Sequence, residues 1–246
     1  MSVFGTTPSG ATRGPLASAI VRLATTPDDE SSVQSQLEWI AELGATLIDH
    51  ADYVSVTILR GDEASTVAMS HEIAEAVDAA QYAGDAGPCV DAAGGSTVAG
   101  SGDIATLVKW PSFRESAVAL GVHSVMSVAL FAASGRPLAA LNIYSRSAHA
   151  FGDVTRRILS TYEPRPEDDA VELDAGSRDL VTGVGLALQL RDVIQQAVGA
   201  IMATEDVDPD EAYVRLRGRA ASLGTPLLAT AAQTISASRR RASEDG

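Results

Sequence analysis

The chain has 246 residues and a single cysteine, Cys89, whose thiol is a candidate reactive group. It follows the pair Gly87-Pro88, and two interpretations stay open: a redox-active or adduct-forming thiol, and a buried, inert small apolar residue. Because there is no second cysteine, a disulfide framework and a cysteine-rich zinc site are excluded. A lone cysteine also fits the reducing cytosol.

The other residue types that serve catalysis lack the spacings that catalysis needs. His50, His71 and His149 show no metal-ligand spacing, and the lone His123 is either a ligand- or pH-sensing group or a structural residue. No serine lies in a Gly-x-Ser-x-Gly elbow, and the glycine-rich stretches match neither the Walker nor the dinucleotide-binding pattern. We therefore expect a protein that is not an enzyme, with no metal and no cofactor.

Polar side chains near the C-terminus recur at helical spacings that place them on shared helix faces. Arg191 and Gln195 lie one helical turn apart, and Arg215 and Arg219 share another helix face. Two interpretations stay open for these arginines: a small positive surface, and ordinary solvated helix faces.

Charge is distributed unevenly along the chain, which has 18 basic and 32 acidic residues and a net charge of −14. An acidic chain repels phosphate groups overall, so RNA binding requires a locally basic patch. Residues 1–185 hold 11 basic and 24 acidic residues, whereas residues 186–241 hold 7 and 6. The charge therefore does not exclude RNA, but it predicts weak binding at low salt unless dimerisation doubles the contact.

Two folded parts must position these side chains, and the first is predicted to be an α+β domain at residues 33–162. It follows a polar, turn-rich segment, residues 1–32, which predicts a flexible tail. Helical apolar spacing begins at Val33, and β-branched and apolar runs then predict strands. The predicted strands are residues 53–59, 66–69, 124–132 and 138–144. Strands flanked by helices predict an antiparallel sheet.

The second part is predicted to be a bundle of three helices at residues 179–241, before a short tail at 242–246. Residues 163–178 contain Pro164, Pro166 and several acidic residues, which predicts a linker in place of a continuous helix. Asp208 and Pro209 form a helix cap and first turn, and Gly224 suits the left-handed residue after a helix. The short connections predict a compact bundle.

The helical part resembles the ANTAR domain in three segments. The carrying residues are Arg191, Val193, Ile194, Gln196, Ala197, Gly199, Ile201 and Met202, then Glu211, Ala212, Tyr213, Leu216 and Arg217, then Leu227, Ala231 and Ile235. The resemblance implies a three-helix bundle that binds RNA, typically paired hexaloop hairpins in leader transcripts, and prevents transcription termination. It also implies dimerisation, since two such bundles are often presented together. The candidate RNA-binding residues are then Arg191, Gln195, Tyr213, Arg215, Arg217 and Arg219. Tyr213 could stack on an RNA base or pack half-buried in a core.

The upstream part resembles a GAF domain over residues 33–162. The carrying residues are Asp78, Gln81, Tyr82, residues 84–92, Asp103, Trp110, Pro111, Phe113, Gly121, Val122, Ser124, residues 141–145 and Phe151. The resemblance implies a sensor with a sheet and a pocket for an unidentified ligand, and no catalysis. Tyr82, Cys89, Trp110 and His123 are then candidate ligand-binding residues, with packing as the alternative for the aromatic ones.

This chain departs from the common ANTAR pattern where basic residues are expected. Val198, Pro226 and Leu228 stand at such positions, which lowers the number of phosphate contacts. The sequence thus predicts a signal-responsive RNA-binding antitermination regulator. The alternative is a sensor or protein-interaction module whose bundle dimerises and has lost RNA affinity. With neither a signal peptide nor an apolar span, we expect a cytoplasmic protein that does not enter a membrane. The ANTAR resemblance implies that it is a homodimer.

Overall fold

The computed structural model of the chain describes residues 13–60, 63–161 and 172–244, and it is a mixed α and β structure, as predicted. Its strands are β1 (Tyr53–Arg60), β2 (Glu63–Met69), β3 (Val98–Ser101), β4 (Ser124–Phe131) and β5 (Pro137–Ser145). Its helices are α1 (Pro15–Thr25), α2 (Val33–Leu47), α3 (Glu72–Ala83), α4 (Pro88–Ala93), α5 (Pro111–Ala119), α6 (Gly152–Leu159), α7 (Ala175–Glu205), α8 (Pro209–Leu223) and α9 (Leu227–Glu244).

The five strands form one antiparallel sheet in the order β2-β1-β5-β4-β3. Strands β1, β2, β4 and β5 agree with the predicted runs, whereas β3 lies in a glycine-rich stretch where no strand was predicted. Gly100 explains this edge strand, because a Cβ atom there would lie 2.3 Å from the backbone oxygen of Val125. The glycine thus lets β3 approach β4 closely.

Each face of the sheet is covered by helices. Helices α1, α2, α6 and the first half of α7 enclose an apolar core with β1, β4 and β5. Helices α3 and α5 cover the other face around Trp110, Phe113 and Tyr144, and α4 packs on Ala140 of β5. We refer to residues 13–60 and 63–161 together as the sheet domain.

Helix α1 lies within the segment that the sequence predicted to be a flexible tail, and the prediction does not hold for residues 15–25. Leu16, Ile20 and Leu23 are buried against α7 and α2. The N-terminal amides of α1 are satisfied from far along the chain, because the Asp179 carboxylate accepts from Gly14 N, Leu16 N and Ala17 N at 2.9, 2.8 and 3.1 Å. The remainder of the predicted tail up to residue 12 lies outside the described residues.

Helix α7 belongs to both parts of the structure, which differs from the predicted organisation. It begins at Ala175, inside the segment predicted to be a linker, and runs for 31 residues; residues 163–171 of that segment lie outside the described residues. Its N-terminal half fits closely on α1, since a Cβ atom on Gly183 would lie 2.7 Å from Ala17 Cα. A single helix therefore connects the sheet domain with the C-terminal bundle.

Helices α7, α8 and α9 form the predicted bundle. Its buried centre consists of Ile194, Ala197, Val198, Ile201, Ala212, Leu216 and Ala231. The predicted helix signals are confirmed: Asp208 Oδ1 accepts from Glu211 N at 2.9 Å, and Gly224 is left-handed with φ 59°. Within the described part of the chain, no helix is long and apolar enough to cross a membrane.

Candidate nucleic-acid interface

Four of the six candidate RNA-binding residues face the sheet domain, and we call them the covered face: Arg191 and Gln195 on α7, Tyr213 and Arg217 on α8. The first two bind the turn between β4 and β5. Arg191 Nε donates to the Gly135 carbonyl at 2.9 Å, and Gln195 Nε2 donates to the Ser134 carbonyl at 2.7 Å. The Arg191 guanidinium also lies 5.1 Å from the centre of the Phe131 ring, within the range of a cation–π contact.

The shape of that turn is fixed by Asp28, which precedes α2, and by a glycine. The Asp28 carboxylate accepts from Ser134 N at 3.0 Å and from Ser134 Oγ at 2.6 Å. Gly135 has φ 74°, and a Cβ atom there would lie 3.0 Å from Gln195 Nε2. The turn therefore presents two carbonyl oxygens to α7 in a conformation that favours glycine.

The α8 side of the covered face meets acidic residues of the same region. Arg217 pairs with Asp29 at 3.1 Å, and its guanidinium lies 5.9 Å from the centre of the Tyr213 ring. Burial, with a contribution from the charge of Asp28, raises the pKa of Tyr213 to about 12. A second pair joins Arg136 of the turn to Asp210 in the first turn of α8. Tyr213 is thus half-buried between the two parts, which favours neither base stacking nor a pure core role.

The remaining two candidates, Arg215 and Arg219, point away from the sheet domain and share one carboxylate. Arg215 lies 2.6 Å from Glu205 and 2.5 Å from Glu211, and Arg219 also pairs with Glu205. Hydrogen bonds from Arg215 and Arg219 lower the pKa of Glu205 below its usual value. Glu205, Arg215 and Arg219 line an open groove of about 690 Å³ between α7, α8 and α9, which also contains Gln233 and Arg241.

The positions where basic residues are absent have different surroundings. Val198 is 4% exposed and lies in the bundle core, so a charged side chain there would have to leave the core. Pro226 is exposed just before α9, and Leu228 is partly exposed. The loss of a cation at Val198 therefore accompanies apolar packing, whereas Pro226 and Leu228 leave surface that carries no charge.

The bundle has three helices that are joined by short loops around one apolar core, and this arrangement agrees with a comparison against known protein families. Residues 185–235 match the ANTAR domain family. The match begins within α7, includes all of α8 and ends within α9. ANTAR is a regulatory RNA-binding domain and not a catalytic one, so the match indicates an RNA-binding regulator of transcription antitermination. No curated protein matches the chain.

The family match does not reach the sheet domain, so the resemblance of the sheet domain to a GAF domain stays a prediction. A sheet flanked by helices is compatible with that prediction. The main polar feature there is a buried cluster around Asp78 of α3. Asp78 Oδ1 accepts from Tyr144 OH and, at 3.2 Å, from Asn142 Nδ2, while Oδ2 accepts from Thr66 Oγ1 at 2.7 Å. Burial raises the pKa of Asp78 to about 6.

Two of the four candidate ligand-binding residues belong to this buried polar cluster. The Tyr82 hydroxyl lies 2.8 Å from both Thr57 Oγ1 and Thr66 Oγ1. Cys89 is fully buried on α4, and its backbone amide donates to Gln81 Oε1 at 2.9 Å. Burial, with a contribution from the charge of Asp78, raises the pKa of the Cys89 thiol well above its usual range. The thiol is therefore protonated at neutral pH, which agrees with the inert interpretation and not with a reactive one.

The other two candidates lie outside the cluster. Trp110 is buried at the start of α5 with Lys109 4.5 Å from its ring centre. His123 lies just before β4, where its backbone amide donates to the Ser145 carbonyl at 2.8 Å. The structure thus brings Tyr82 and Cys89 together and places Trp110 in the neighbouring apolar core. Among the residues described, no group of three or more His, Cys, Asp or Glu side chains could hold a metal ion.

The sequence did not single out the central residues of the cluster as a site. Asp78, Gln81, Asn142 and Tyr144 entered only as residues that carry the GAF resemblance. A usable signal existed, because Asn142 interrupts an otherwise apolar strand in which every residue from 139 to 145 is buried. A buried amide requires polar partners on neighbouring elements, so it marks a polar site inside the core.

Proposed function

We propose that the chain is a signal-responsive regulator that binds leader-RNA hairpins through the ANTAR bundle and prevents transcription termination. The match of residues 185–235 to the ANTAR family carries this proposal, together with a bundle core and helix caps that are intact. The four arginines Arg191, Arg215, Arg217 and Arg219 supply cations on two sides of the bundle. Paired hairpins are the target that the resemblance implies, and a homodimer would present two bundles to them.

The sheet domain is the proposed sensor of this regulator. Its buried polar cluster supports the proposal, since Asn142 Oδ1 and Ser127 Oγ have no hydrogen-bond partner within the described part of the chain. The two residues are directly opposite each other on β5 and β4. Unpartnered buried polar atoms are costly unless a small polar molecule or water satisfies them. We therefore place the signal input at this cluster.

A titration with defined RNA tests the proposed function. The full chain is titrated with a tandem RNA hairpin that has six-nucleotide loops, and with a control in which the loop sequences are scrambled, at two salt concentrations. We expect tighter binding to the intact loops, and weaker binding of both RNAs at the higher salt because phosphate contacts release counterions. Equal affinity for intact and scrambled loops at low salt would contradict RNA recognition by the bundle.

Variants of the exposed groove locate the contact. Replacing both Arg215 and Arg219 with glutamine removes two cations that do not touch the sheet domain, and we expect roughly fivefold or greater loss of RNA affinity. The matched control combines Arg22→Gln with Arg146→Gln, two exposed arginines of the sheet domain, and it should change affinity little. Unchanged affinity of the double variant would assign the binding surface elsewhere on the bundle.

A further inference from the structure

The covered face of the bundle is held by a small set of groups from the sheet domain. We define the latch as residues 28–29 and 134–136, which are two loops brought together by the Asp28–Ser134 hydrogen bonds. The latch contributes two backbone carbonyls to Arg191 and Gln195, and one carboxylate to Arg217. Arg136 of the latch reaches the bundle in the opposite sense, by pairing with Asp210.

The latch offers the bundle the same chemistry that RNA offers. A phosphate group and the oxygen of a base edge are hydrogen-bond acceptors, as are the Asp29 carboxylate and the carbonyls of Ser134 and Gly135. Arginine and glutamine donors that are occupied by the latch are not available to RNA. RNA and the latch are therefore competitors for Arg191, Gln195 and Arg217.

We propose that the latch is an autoinhibitory element, which occupies the covered face until a signal in the sheet domain releases it for RNA. This inference rests on the proposed function and adds its regulation. The apparent RNA affinity is then the intrinsic affinity reduced by the fraction of molecules in which the latch is open. The signal acts by changing that fraction, which requires different affinities for the open and closed states.

The latch can open at a low cost in free energy, because its ion pairs are largely solvated. The side chains of Arg136 and Asp210 are 54% and 75% exposed, and those of Arg217 and Asp29 are 40% and 70% exposed. Pairs of this kind stabilise a contact only weakly. The latch turn is also the tip of the β4–β5 hairpin, whose middle carries Ser127 and Asn142 of the buried polar cluster. A molecule that binds those two residues acts on the same hairpin that closes the latch.

The substitution Arg136→Glu distinguishes release of the latch from a general effect of charge, because the two effects change the RNA affinity in opposite directions. Arg136→Glu makes the chain more acidic, so electrostatic repulsion alone weakens RNA binding. It also places a carboxylate against Asp210 and opens the latch. In the tandem-hairpin titration, we expect this variant to bind the RNA roughly three- to tenfold more tightly than the unmodified chain.

Two further variants make the result specific to the latch. Arg146→Glu changes the net charge identically at an exposed site of the sheet domain, at the end of β5 opposite the latch turn, and it should weaken binding slightly or not at all. Combining Arg136→Glu with Asp210→Arg restores an ion pair of reversed polarity, and it should return the affinity towards that of the unmodified chain. Tighter binding by Arg136→Glu that Asp210→Arg reverses supports the latch.

A second pair of variants covers the case in which Arg136→Glu folds poorly. Asp29→Arg breaks the pair with Arg217, whereas Glu30→Arg changes the charge by the same amount at the adjacent exposed position. Only Asp29→Arg should tighten RNA binding beyond the effect of charge. Equal affinities in this pair, or weaker binding by folded Arg136→Glu, would overturn the latch while leaving RNA binding intact. Absence of loop-dependent binding in every variant would instead overturn the proposed function, and the latch with it.

Discussion

Asp78 links the buried polar cluster to a measurable property of the whole chain, the pH dependence of its folding stability. Burial raises its pKa from 3.8 to about 6, although hydrogen bonds from Tyr144 and Thr66 oppose the rise. Between these two pH values the folded chain binds a proton that the unfolded chain has released. Folding stability from this group is therefore greatest below pH 4, and it is lost as the pH rises through 6.

Replacing Asp78 with asparagine should remove this pH dependence. At about 1.4 kcal/mol per unit of pKa, the full shift is worth about 3 kcal/mol. Because the unfolded carboxyl is already partly ionised at pH 4, the free energy of unfolding of the unmodified chain should fall between pH 4 and pH 7 by about 2 kcal/mol more than that of Asp78→Asn. Urea unfolding at several pH values measures the difference. Glu75→Gln on the exposed side of the same helix is the control. Parallel pH profiles for Asp78→Asn and the unmodified chain would contradict the assignment.

The sequence predicted the positions of the helix caps and the grouping of the arginines. It did not predict which groups those arginines contact. Asp208 and Gly224 act locally, so their roles follow from their nearest neighbours in the chain. Arg191 and Arg217 are paired with groups more than fifty residues away, Gly135 and Asp29. Nothing in the spacing of Arg191 or Arg217 indicates such partners, because they depend on how the bundle packs on the sheet domain.

Helix α7 is the element on which the arrangement of the two parts depends. Its N-terminal half packs on α1 through small residues, and its C-terminal half lies in the bundle. Adding a methyl group at either of two glycines of this helix should change the folding stability in opposite directions. At Gly183 the added Cβ would lie 2.7 Å from Ala17 Cα, whereas at Gly199 it would meet nothing within 4 Å.

Gly183→Ala should therefore destabilise the chain by about 1–3 kcal/mol, since α1 has to move away from α7. Gly199→Ala should stabilise it by about 0.5–1 kcal/mol, because alanine favours the helix and no contact is disturbed. Denaturant unfolding of both variants measures these changes. A stabilising Gly183→Ala would show that α1 does not lie on α7 as described.

Elements with a local sequence pattern could be predicted, whereas elements that depend on distant partners could not. Strands β4 and β5 are marked by their own apolar and β-branched runs, and the three C-terminal helices by their apolar periodicity. Helix α1 was missed because its flanks are polar and its N-terminal cap comes from Asp179 on α7. Helix α7 begins at Ala175, four residues before the predicted start of the bundle, because the acidic residues of the predicted linker do not mark where a helix begins.

At the scale of the whole molecule, the acidic sheet domain has two effects on the bundle. It adds a repulsive field for RNA, which follows from the net charge of −14. It also places Asp29 and two carbonyls on the donors of the covered face. Composition alone indicates only the first effect. The second depends on the fold, and it makes the RNA affinity of the bundle adjustable.

Hydrogen–deuterium exchange of the full chain, with and without the tandem-hairpin RNA, reports on the bundle and the latch in one measurement. Bound RNA should slow exchange of amides in residues 191–219, where the candidate RNA-binding side chains lie. It should also speed exchange at residues 134–136, because RNA displaces the latch from the bundle. The scrambled-loop RNA should do neither at moderate salt. Protection confined to the sheet domain, or no change in residues 191–219, would contradict an RNA-binding bundle held closed by the latch.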